Sequence, residues 1–584
     1  MSLYNKLSDC MQGNVPGEYV LPFFWQHGEP HERLKEEIDA IERSSVREFC
    51  VESRTHEEFG REQWWIDFKY ILDEAKRRDM RVWLLDDKRF PTGYANGYVE
   101  EHPELKKKLI RLDWRDYAGP RKNIRTMALP IDSDESFLSI VAYRREGNGN
   151  EFCGEPIDLL PTLKDGLLSW DVPEGTWRVY FIINTRKTVE SEWIDVLNPE
   201  SCKAMLKAVY EPHYKRFSKY FGNTFAGFFS DEPRFGNDHH TYDSCLGKPG
   251  MPVPWREDLP ELIAKESGMD IKKVKLLLPA LFHPYKGNEL HLLRLTYMDV
   301  VTKLYRDNFE KMLGDWCRKR GVLYIGHIIE DMNTHMRLGY GAGHFFRALE
   351  HQDMGGMDIV LQQIIPGMLD TDHCAPVGGN LIDPEFFHYL IAKLPSSQSH
   401  VNPRMKGRAM CEIYGAFGWA EGIPMMKQLT DHMLVNGINH YVPHAFSPKY
   451  PDSDCPPHFY ANGLNPQFEA FGELMKYMAR CSHLISHGTH IAPVAVLYNA
   501  EAEWAAGEYD FVQAVGRCLI RSQIDFDVLS EDTIASLEVK DNCLLAGNES
   551  YRALIIPKSE FLTDSMIADL QRFIDSGLTV IVAA

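Results

Sequence analysis

The amino-acid sequence predicts an α/β protein built on a (β/α)8 TIM barrel, with an inserted all-β module and a small C-terminal α/β unit. Short apolar runs alternate with amphipathic helical patterns along most of the chain, which indicates βα units and a parallel sheet. Eight such units closing into a barrel are the simplest solution, and an unusually wide, open doubly wound sheet is the alternative. The predicted boundaries are 1–107 and 193–490 for the barrel, 108–192 for the β module and 491–584 for the last unit.

The barrel prediction rests on strand candidates that recur between helical patterns. The helical patterns span 31–43, 61–79, 199–220, 288–319 and 465–484. The strand candidates are 19–25, 46–53, 80–87, 224–233, 322–331, 357–364, 408–418 and 438–447.

The alternation of predicted strands and helices is interrupted in two places. Between about 108 and 192, short β-type runs such as FLSIVAYRR and TWRVYFIIN are separated by turn signals, which predicts a β-sandwich-like module. From 491 the α/β rhythm starts again, as in domains of the flavodoxin or glutamine-amidotransferase type. The chain stops directly after the strand LTVIVAA, so we expect it to be the front part of a longer protein.

Composition narrows the class of protein. The 584 residues carry a formal charge of −20. This argues against a nucleic-acid partner, because proteins that bind along a nucleic-acid phosphate backbone need a basic face. The sequence contains no apolar run long enough to span a membrane and no signal peptide. We therefore expect a cytoplasmic enzyme, with secretion as the alternative if a signal sequence has been removed. The 12 cysteines lack CxxC pairs, which fits reduced thiols better than a disulfide framework.

Carboxylates recur at the ends of successive strand candidates. Strands are normally depleted in Asp and Glu, and barrel enzymes place their chemistry at the carboxyl ends of the strands. An Asp in such a position often caps a helix. For Asp86 and Asp231, a capping role and a functional role are equally well supported by the sequence. A cap is less natural for Glu232 and Glu412, so we expect these two to be functional or firmly paired. The strand-end residues are Asp86, Asp87, Asp231, Glu232, Glu330, Asp331 and Glu412, with His440 and His444 on the last strand.

Paired carboxylates suit glycosidic cleavage, because one must donate a proton to the leaving oxygen while the other is ionised. Other chemistries have weaker support. GYGAG at 339–343 lacks the Lys and Ser/Thr of a phosphate loop. The histidines show no HExxH spacing, so a zinc hydrolase is a minor alternative. No pattern indicates an organic cofactor.

These residues resemble those of large bacterial glycosidases of glycoside hydrolase family 106, the α-L-rhamnosidases. The resemblance spans about 20–490, through PFFWQHGEP (22–30), FFSDEPRF (228–235), GHIIED (326–331), CEIYGAFGW (411–419) and GINHYVPHAFS (437–447). It departs from the family at Lys88-Arg89, where we expect acidic and then Gly/Tyr character. That departure bears on the identity of the sugar more than on the type of reaction.

The resemblance implies hydrolysis of a terminal sugar from a glycan with inversion, and a calcium ion near the site. It implies catalytic roles for Glu232 as general acid and Glu330 as base, with Glu412 a close second for the base. We place substrate contacts at further residues of the same segments. They are Trp25, His27, Asp87, Asp231, His327, Asp358, Tyr414, His440 and His444. A relative that binds carbohydrate without cleaving it, and a metal-dependent hydrolase of another class, are the alternatives.

Overall fold

The computed structural model describes residues 3–187, 190–238, 243–329, 331–375, 381–486 and 488–583. Within these ranges, eight parallel strands that follow the order of the sequence form a five-stranded and a three-stranded sheet. We number them one to eight along the chain. The first five are Phe23–Gln26, Glu48–Ser53, Arg81–Leu85, Phe225–Asp231 and Leu323–His327, and the other three are Gly355–Ile359, Ala409–Ile413 and His440–Pro443.

Backbone hydrogen bonds bring the edges of the two sheets together. On one side, Leu21 N–H donates to Tyr441 O over 2.9 Å, and Phe446 N–H donates to Phe23 O over 2.8 Å. On the other side, Asp353 N–H donates to Tyr324 O over 2.8 Å. The strands therefore follow a curled surface, and the predicted α/β class is confirmed.

The helices lie between the strands, as the periodicity predicts. The helix His31–Arg43 buries Leu34, Ile38 and Ile41, a spacing that places them on one face. The helix that begins at Pro199 is capped by Asn198, whose side chain accepts a hydrogen bond from Glu200 N–H, and proline is favoured at the first helical position. The other helices of this part are Leu3–Gln12, Glu62–Arg77, Tyr98–Glu101, Pro199–Met205, Glu211–Phe217, Leu259–Ser267, Ile271–Leu277, Glu289–Tyr305, Lys311–Arg318, Phe345–Ala348, Pro384–Tyr389, Lys393–Val401, Ile423–Val435 and Phe468–Ile485.

The strand residues separate into two sets because successive side chains point to opposite faces of a sheet. One set packs against the helices and includes Phe49, Leu84, Phe228, Tyr324, Ile359 and Cys411. The other set forms a separate apolar cluster that includes Phe23, Cys50, Trp83, Phe229, Ile325, Met410 and Val442. This second cluster is contributed by strands of both sheets, so it lies on the face of the curled surface that points away from the helices.

An antiparallel sheet occupies the region predicted to be all-β. Its long strands are Leu109–Met127, Ser136–Arg145, Phe152–Asp158 and Leu167–Thr185, and Val253–Pro254 and Tyr285–Lys286 pair at its edges. Val141 and Tyr143 face the main core, whereas Ile140 and Ala142 belong to a separate cluster with Leu168. The two faces of the sheet thus pack against different partners. The predicted module boundaries stay a prediction.

The last part of the described chain is a small α/β unit. Its parallel strands are Val494–Leu497, Phe526–Leu529, Ala553–Ile556 and Thr579–Val582, and an antiparallel sheet comprises Glu538–Lys540, Cys543–Ala546 and Glu549–Tyr551. Helices Ala500–Trp504, Val512–Arg521, Glu531–Ile534 and Asp564–Asp575 accompany them. Ala495 and Leu497 pack within the unit, whereas Val494 and Val496 join the main core, so this unit packs directly on the rest of the protein. Among the described helices, none is long and apolar enough to cross a membrane.

Candidate active site

The second apolar cluster gives way to polar side chains at the carboxyl ends of the strands. Continuing the alternation by two residues leads from Phe229 to Asp231, from Ile325 to His327 and from Met410 to Glu412. Asp231 and His327 are partners in the register of strands four and five. His327 Nε2 lies 3.1 Å from Asp231 Oδ1 and 3.3 Å from Glu412 Oε2. Side chains up to about 180 positions apart in the sequence therefore meet in one buried triad.

The hydrogen bonds of His327 define where a proton must lie. Its Nδ1 is 3.1 Å from the carbonyl oxygen of Ile328, so Nδ1–H donates there, because a carbonyl oxygen can only accept. In the neutral ring, Nε2 then carries a lone pair that faces two carboxylates. A proton is needed between these atoms, on the imidazole or on one carboxyl group.

Glu412 is well placed to hold this proton. Burial raises its pKa to about 7, and the negative charge of Asp231 acts in the same direction, whereas the hydrogen bond to His327 opposes the rise. Asp358, on strand six, is the register partner of Glu412 and is also buried. Two carboxyl groups on neighbouring strands thus share the same end of the sheet.

The sequence prediction missed two charged residues that lie at the carboxyl ends of the strands. Glu52 follows Cys50 by two positions on strand two, and its side chain is 1% exposed. Burial raises the pKa of Glu52, while Arg54, 2.7 Å away, opposes the rise. The Arg54 guanidinium also lies over the Trp25 ring, 4.4 Å from its centroid. The period of two that selects Asp231 and Glu412 also selects Glu52, so the signal was present in the sequence.

Glu232 lies just beyond strand four at the rim of this cluster. Its backbone has φ of 48°, and its N–H donates to His327 O over 3.0 Å. Its side chain is 15% exposed, and Oε2 lies 3.7 Å from Arg234. The Arg234 guanidinium in turn lies over Trp193 and Tyr340, 4.6 Å and 3.9 Å from the ring centroids. Glu232 is therefore held close to a fixed positive charge.

Asp86 and Asp87 hold the loop that follows strand three. The Asp87 carboxylate is fully buried and accepts hydrogen bonds from four backbone N–H groups, those of Lys88, Gly93, Ala95 and Asn96. Thr92 receives the N–H of Asp231 at its hydroxyl oxygen and donates its own proton to Asp86. These contacts make the two aspartates anchors of the loop 88–96, and the expected sugar contact of Asp87 has no support in them.

One indole ring and several imidazole rings lie at the same end of the strands. Trp25, at the end of strand one, contacts His444 and His458 edge-on, with ring centroids 5.0 Å and 5.1 Å apart. His27 follows Trp25 by two positions, and its Nδ1 lies 2.7 Å from Glu29. The predicted contacts Trp25, His27 and His444 therefore lie together.

Two predicted contacts are elsewhere. His440 is the first residue of strand eight, not the last, so it lies at the amino end of the sheet, with its ring 5.4 Å from that of Tyr19. Tyr414 has φ of 80° and packs with the outer core, where its hydroxyl group hydrogen-bonds Thr430 on the helix Ile423–Val435. The structure therefore does not bring these two side chains to the cluster at the carboxyl ends, because each strand is shorter than the sequence predicted. Glu330 lies outside the described residues.

Asp231, Glu232 and His327 also form a group that could hold a metal ion. One ligand atom from each residue lies within 4.8 Å of the others. Carboxylate oxygens suit calcium, whereas an imidazole nitrogen suits a transition metal. The donor set is therefore compatible with a divalent cation.

The chain is similar to known glycosidases in sequence and in fold. The sequence model of the α-L-rhamnosidase family, glycoside hydrolase family 106, matches residues 393–584. No curated protein sequence matches the chain. Among solved structures, the chain is similar to a rhamnosidase from Novosphingobium sp. PP1Y, with 13% identity and a TM-score of 0.66 over 100% of this chain and 70% of that one.

Two β-galactosidases have a similar fold. The enzyme from the haloarchaeon Halorubrum lacusprofundi shares 12% identity with a TM-score of 0.58, over 97% of this chain and 72% of that one. The enzyme from Bacillus circulans sp. alkalophilus shares 12% identity with a TM-score of 0.56, over 97% and 71%. The chain therefore has an α/β fold shared with glycosidases, and the resemblance to the α-L-rhamnosidases of glycoside hydrolase family 106 is confirmed by the match over residues 393–584.

Proposed function

We propose that the protein is a glycoside hydrolase that removes a terminal sugar of the α-L-rhamnoside type with inversion, using two carboxyl groups. The observation that carries this proposal is the buried triad of Asp231, His327 and Glu412, in which burial and the charge of Asp231 raise the pKa of Glu412 to about 7. Glycosidases need one protonated and one ionised carboxyl group on either side of the scissile bond. The family match and the shared fold support the same class of reaction.

The proposed scaffold is a complete (β/α)8 barrel formed by strands one to eight. The bonds at Leu21, Phe446 and Asp353 support closure on both sides of the three-stranded sheet. In such a barrel, side chains at the carboxyl ends of the strands converge on one mouth. Strand ends from all sides would then face a single bound sugar.

We assign the role of general acid to Glu412. A pKa of about 7 allows a carboxyl group to carry a proton at neutral pH and to release it to a departing oxygen. This assignment differs from the one that the family resemblance implies, in which Glu232 is the acid. The burial of Glu412 and the charge of Asp231 are the physical reasons for the change.

Glu232 is the proposed base that activates the attacking water. Arg234, 3.7 Å away, favours a negative charge on Glu232, and the partial exposure of Glu232 admits water. Glu330 remains the alternative base from the sequence. Trp25, His27, Asp231, His327, Asp358 and His444 are the proposed contacts to the sugar.

Calcium is the proposed metal. Asp231 and Glu232 would each supply one carboxylate oxygen, with His327 within 4.8 Å of both, and the second oxygen of Glu232 would stay available to the attacking water. A bound divalent cation would reduce the repulsion between neighbouring carboxylates. Removing calcium with a chelator is expected to lower activity, and adding calcium alone is expected to restore it. Unchanged activity after exhaustive chelation contradicts this part of the proposal.

The deciding experiment is hydrolysis of a panel of aryl glycosides comprising an α-L-rhamnoside, a β-D-galactoside and uronides. We expect cleavage of the α-L-rhamnoside, with the inverted anomer as the first product seen by proton NMR. Glu412→Gln is expected to slow cleavage of substrates with poor leaving groups by about 10²–10⁴-fold. Substrates with strongly acidic leaving groups depart without a proton and should be affected much less.

Glu232→Gln tests the base and should slow all these substrates alike, because water attack is needed whatever the leaving group. Glu473→Gln, at an exposed helical position where the carboxylate pairs with Lys476, is the matched control and should leave the rates unchanged. If the wild-type protein binds saccharides but forms no product, the result would instead support the alternative that it is a relative that binds carbohydrate without cleaving it. Equal rates for Glu412→Gln and the wild-type protein would overturn the role of Glu412.

A further inference from the structure

A second cluster of ionisable side chains lies away from the candidate active site. It borders a cavity of about 1080 Å³ between the end of the helix Lys393–Val401 and the C-terminal unit. The cavity is also lined by Gly407, two residues before strand seven, and by Asn439, directly before strand eight. It therefore opens at the amino ends of these strands, opposite the carboxylate triad.

Two histidines converge on one buried carboxylate at the edge of this cavity. His400 Nδ1 lies 2.9 Å from Asp527 Oδ1, and His490 Nδ1 lies 3.4 Å from Asp527 Oδ2. His490 Nδ1 is also 3.4 Å from Glu549 Oε2. One ligand atom each of His400, His490 and Asp527 lies within 4.8 Å of the others.

The tautomer of His490 leaves a lone pair in the centre of the cluster. Its Nε2 is 2.9 Å from Asp525 Oδ2, so Nε2–H donates to that carboxylate. In the neutral ring, Nδ1 then faces Asp527 and Glu549 with a lone pair, and both of these groups can only accept when they are ionised. A positive charge must lie between them, either a proton on Nδ1 or a metal ion.

The surroundings of the cluster match those of a metal site. A histidine that binds a metal usually donates its other N–H to a carboxylate, and ligand carboxylates are themselves hydrogen-bonded. Here Asp525 holds His490 and is held in turn by Lys393 over 2.7 Å. The Tyr551 hydroxyl group donates to Asp527 over 2.8 Å. Hydrogen bonds therefore already hold the proposed ligands and their supporting residues in place for a metal ion.

A further observation points to a ligand. Glu549 is 5% exposed and lines the cavity, and among the described residues its Oε2 makes no hydrogen bond beyond the long, 3.4 Å contact to His490 Nδ1. An unsatisfied carboxylate oxygen in a buried position is costly. Within the described residues, the carboxylates Asp525, Asp527 and Glu549 are paired with one lysine, Lys393, and with two imidazoles, so a divalent cation would balance the remaining charge.

We propose that His400, His490 and Asp527, with Glu549 as the fourth ligand, bind one Zn²⁺ ion. Imidazole nitrogens with carboxylate oxygens in a four-ligand set are typical of zinc. The cavity provides the path of entry.

The site joins three parts of the chain: the helix that ends near His400, the connecting segment that carries His490, and the C-terminal unit with Asp527 and Glu549. Zinc would therefore hold the C-terminal unit against the sheet, and glycosidase chemistry is not required for it. This inference is independent of the proposed function.

The test is zinc binding by the full chain without an affinity tag, after treatment with EDTA. We expect isothermal titration with Zn²⁺ and elemental analysis to show one tightly bound equivalent that the double variant His400→Gln, His490→Gln lacks. His327→Gln, in the other candidate metal group, is the matched control and should retain this equivalent. Zinc should raise the thermal midpoint of the wild-type protein and of His327→Gln, and should leave that of the double variant unchanged.

Three further measurements distinguish loss of the metal site from misfolding. Asp525→Asn touches the proposed ligands only through His490 Nε2, and should weaken zinc binding by about 10–100-fold. Circular dichroism in EDTA should be the same for all variants. Co²⁺ in place of zinc should give the intense visible absorption of a four-coordinate site. A wild-type protein that binds no zinc, or a tight equivalent that is lost in His327→Gln and kept in the double variant, would overturn the proposal.

Discussion

Replacing Glu412 by Gln should stabilise the protein at neutral and higher pH while it removes the proposed acid. His327 presents a lone pair to residue 412, because its Nδ1–H is bonded to Ile328 O. A glutamine amide can donate an N–H to that lone pair and carries no charge next to Asp231. The variant therefore imitates the protonated form of Glu412 at every pH.

The size of the effect follows from the pKa of Glu412. It is about 7 in the folded protein, whereas an ordinary glutamate has a pKa of 4.5, and each pKa unit corresponds to about 1.4 kcal/mol. Below pH 4.5 the group is protonated in both the folded and the unfolded state, so it costs nothing. As pH rises to about 7, the unfolded state gains stability by ionising, and the folded state loses up to about 3 kcal/mol relative to it. Glu412→Gln lacks this loss.

Thermal midpoints of the variant and of the wild-type protein, measured across this pH range, check the prediction. The midpoint of Glu412→Gln minus that of the wild-type protein should increase as pH rises from 4.5 to 7 and then level off. A chain of this size is expected to unfold in more than one step. Amide hydrogen exchange of strand seven, compared between the two proteins at each pH, therefore reports the local effect.

Glu473→Gln serves as the control, since its exposed side chain should give no such pH dependence. Parallel midpoint curves for Glu412→Gln and the wild-type protein would refute the reasoning. So would a variant that is less stable by the same amount at every pH, because both results mean that Glu412 ionises at its ordinary pKa.

Three further predictions concern activity and the loops around the site. If Glu412 is the acid, kcat/KM should fall as pH rises through about 7, because the proton is then lost; a rate that is constant from pH 6 to 8 would contradict this. Asp87→Asn should lower the thermal midpoint and expose the loop 88–96 to proteases, because an amide cannot accept from all four N–H groups and each unsatisfied donor costs about 1–3 kcal/mol; an unchanged cleavage pattern would count against the anchoring role. Tyr498→Phe removes the hydroxyl group that accepts from Phe345 N–H and hydrogen-bonds His335 Nδ1. Loss of these bonds should loosen the loop after strand five and lower kcat more than it changes KM; equal kinetics would show that the C-terminal unit does not position this loop.

Much of the fold was predictable because it depends on local periodicity. The run 224–233 and the helical pattern 288–319 correspond to the strand Phe225–Asp231 and to the helices Glu289–Tyr305 and Lys311–Arg318. Placing carboxylates at strand ends identified Asp231 and Glu412, and the same rule applied with the period of two would have added Glu52. Each of these inferences needs only the sequence near the residue.

The errors came from the exact ends of strands. The predicted strand 438–447 is a four-residue strand, His440–Pro443, which puts His440 at one end of the sheet and His444 at the other. Tyr414 continues the alternation of Met410 and Glu412, but strand seven ends at Ile413 and the chain turns there. Strand three ends at Leu85, so Asp87 already belongs to the loop that it holds.

The sequence by itself determined the alternation of strands and helices and the positions where carboxylates follow strands, because both are short-range patterns of side-chain type. Only the tertiary structure decided which of these groups meet. Asp231, His327 and Glu412 come from three strands, and their proton depends on distances of 3.1 Å and 3.3 Å. The cluster of His400, His490, Asp527 and Glu549 likewise joins segments that no local pattern connects. The energies of buried charges depend on such separations and on burial, and these exist only once the chain has folded.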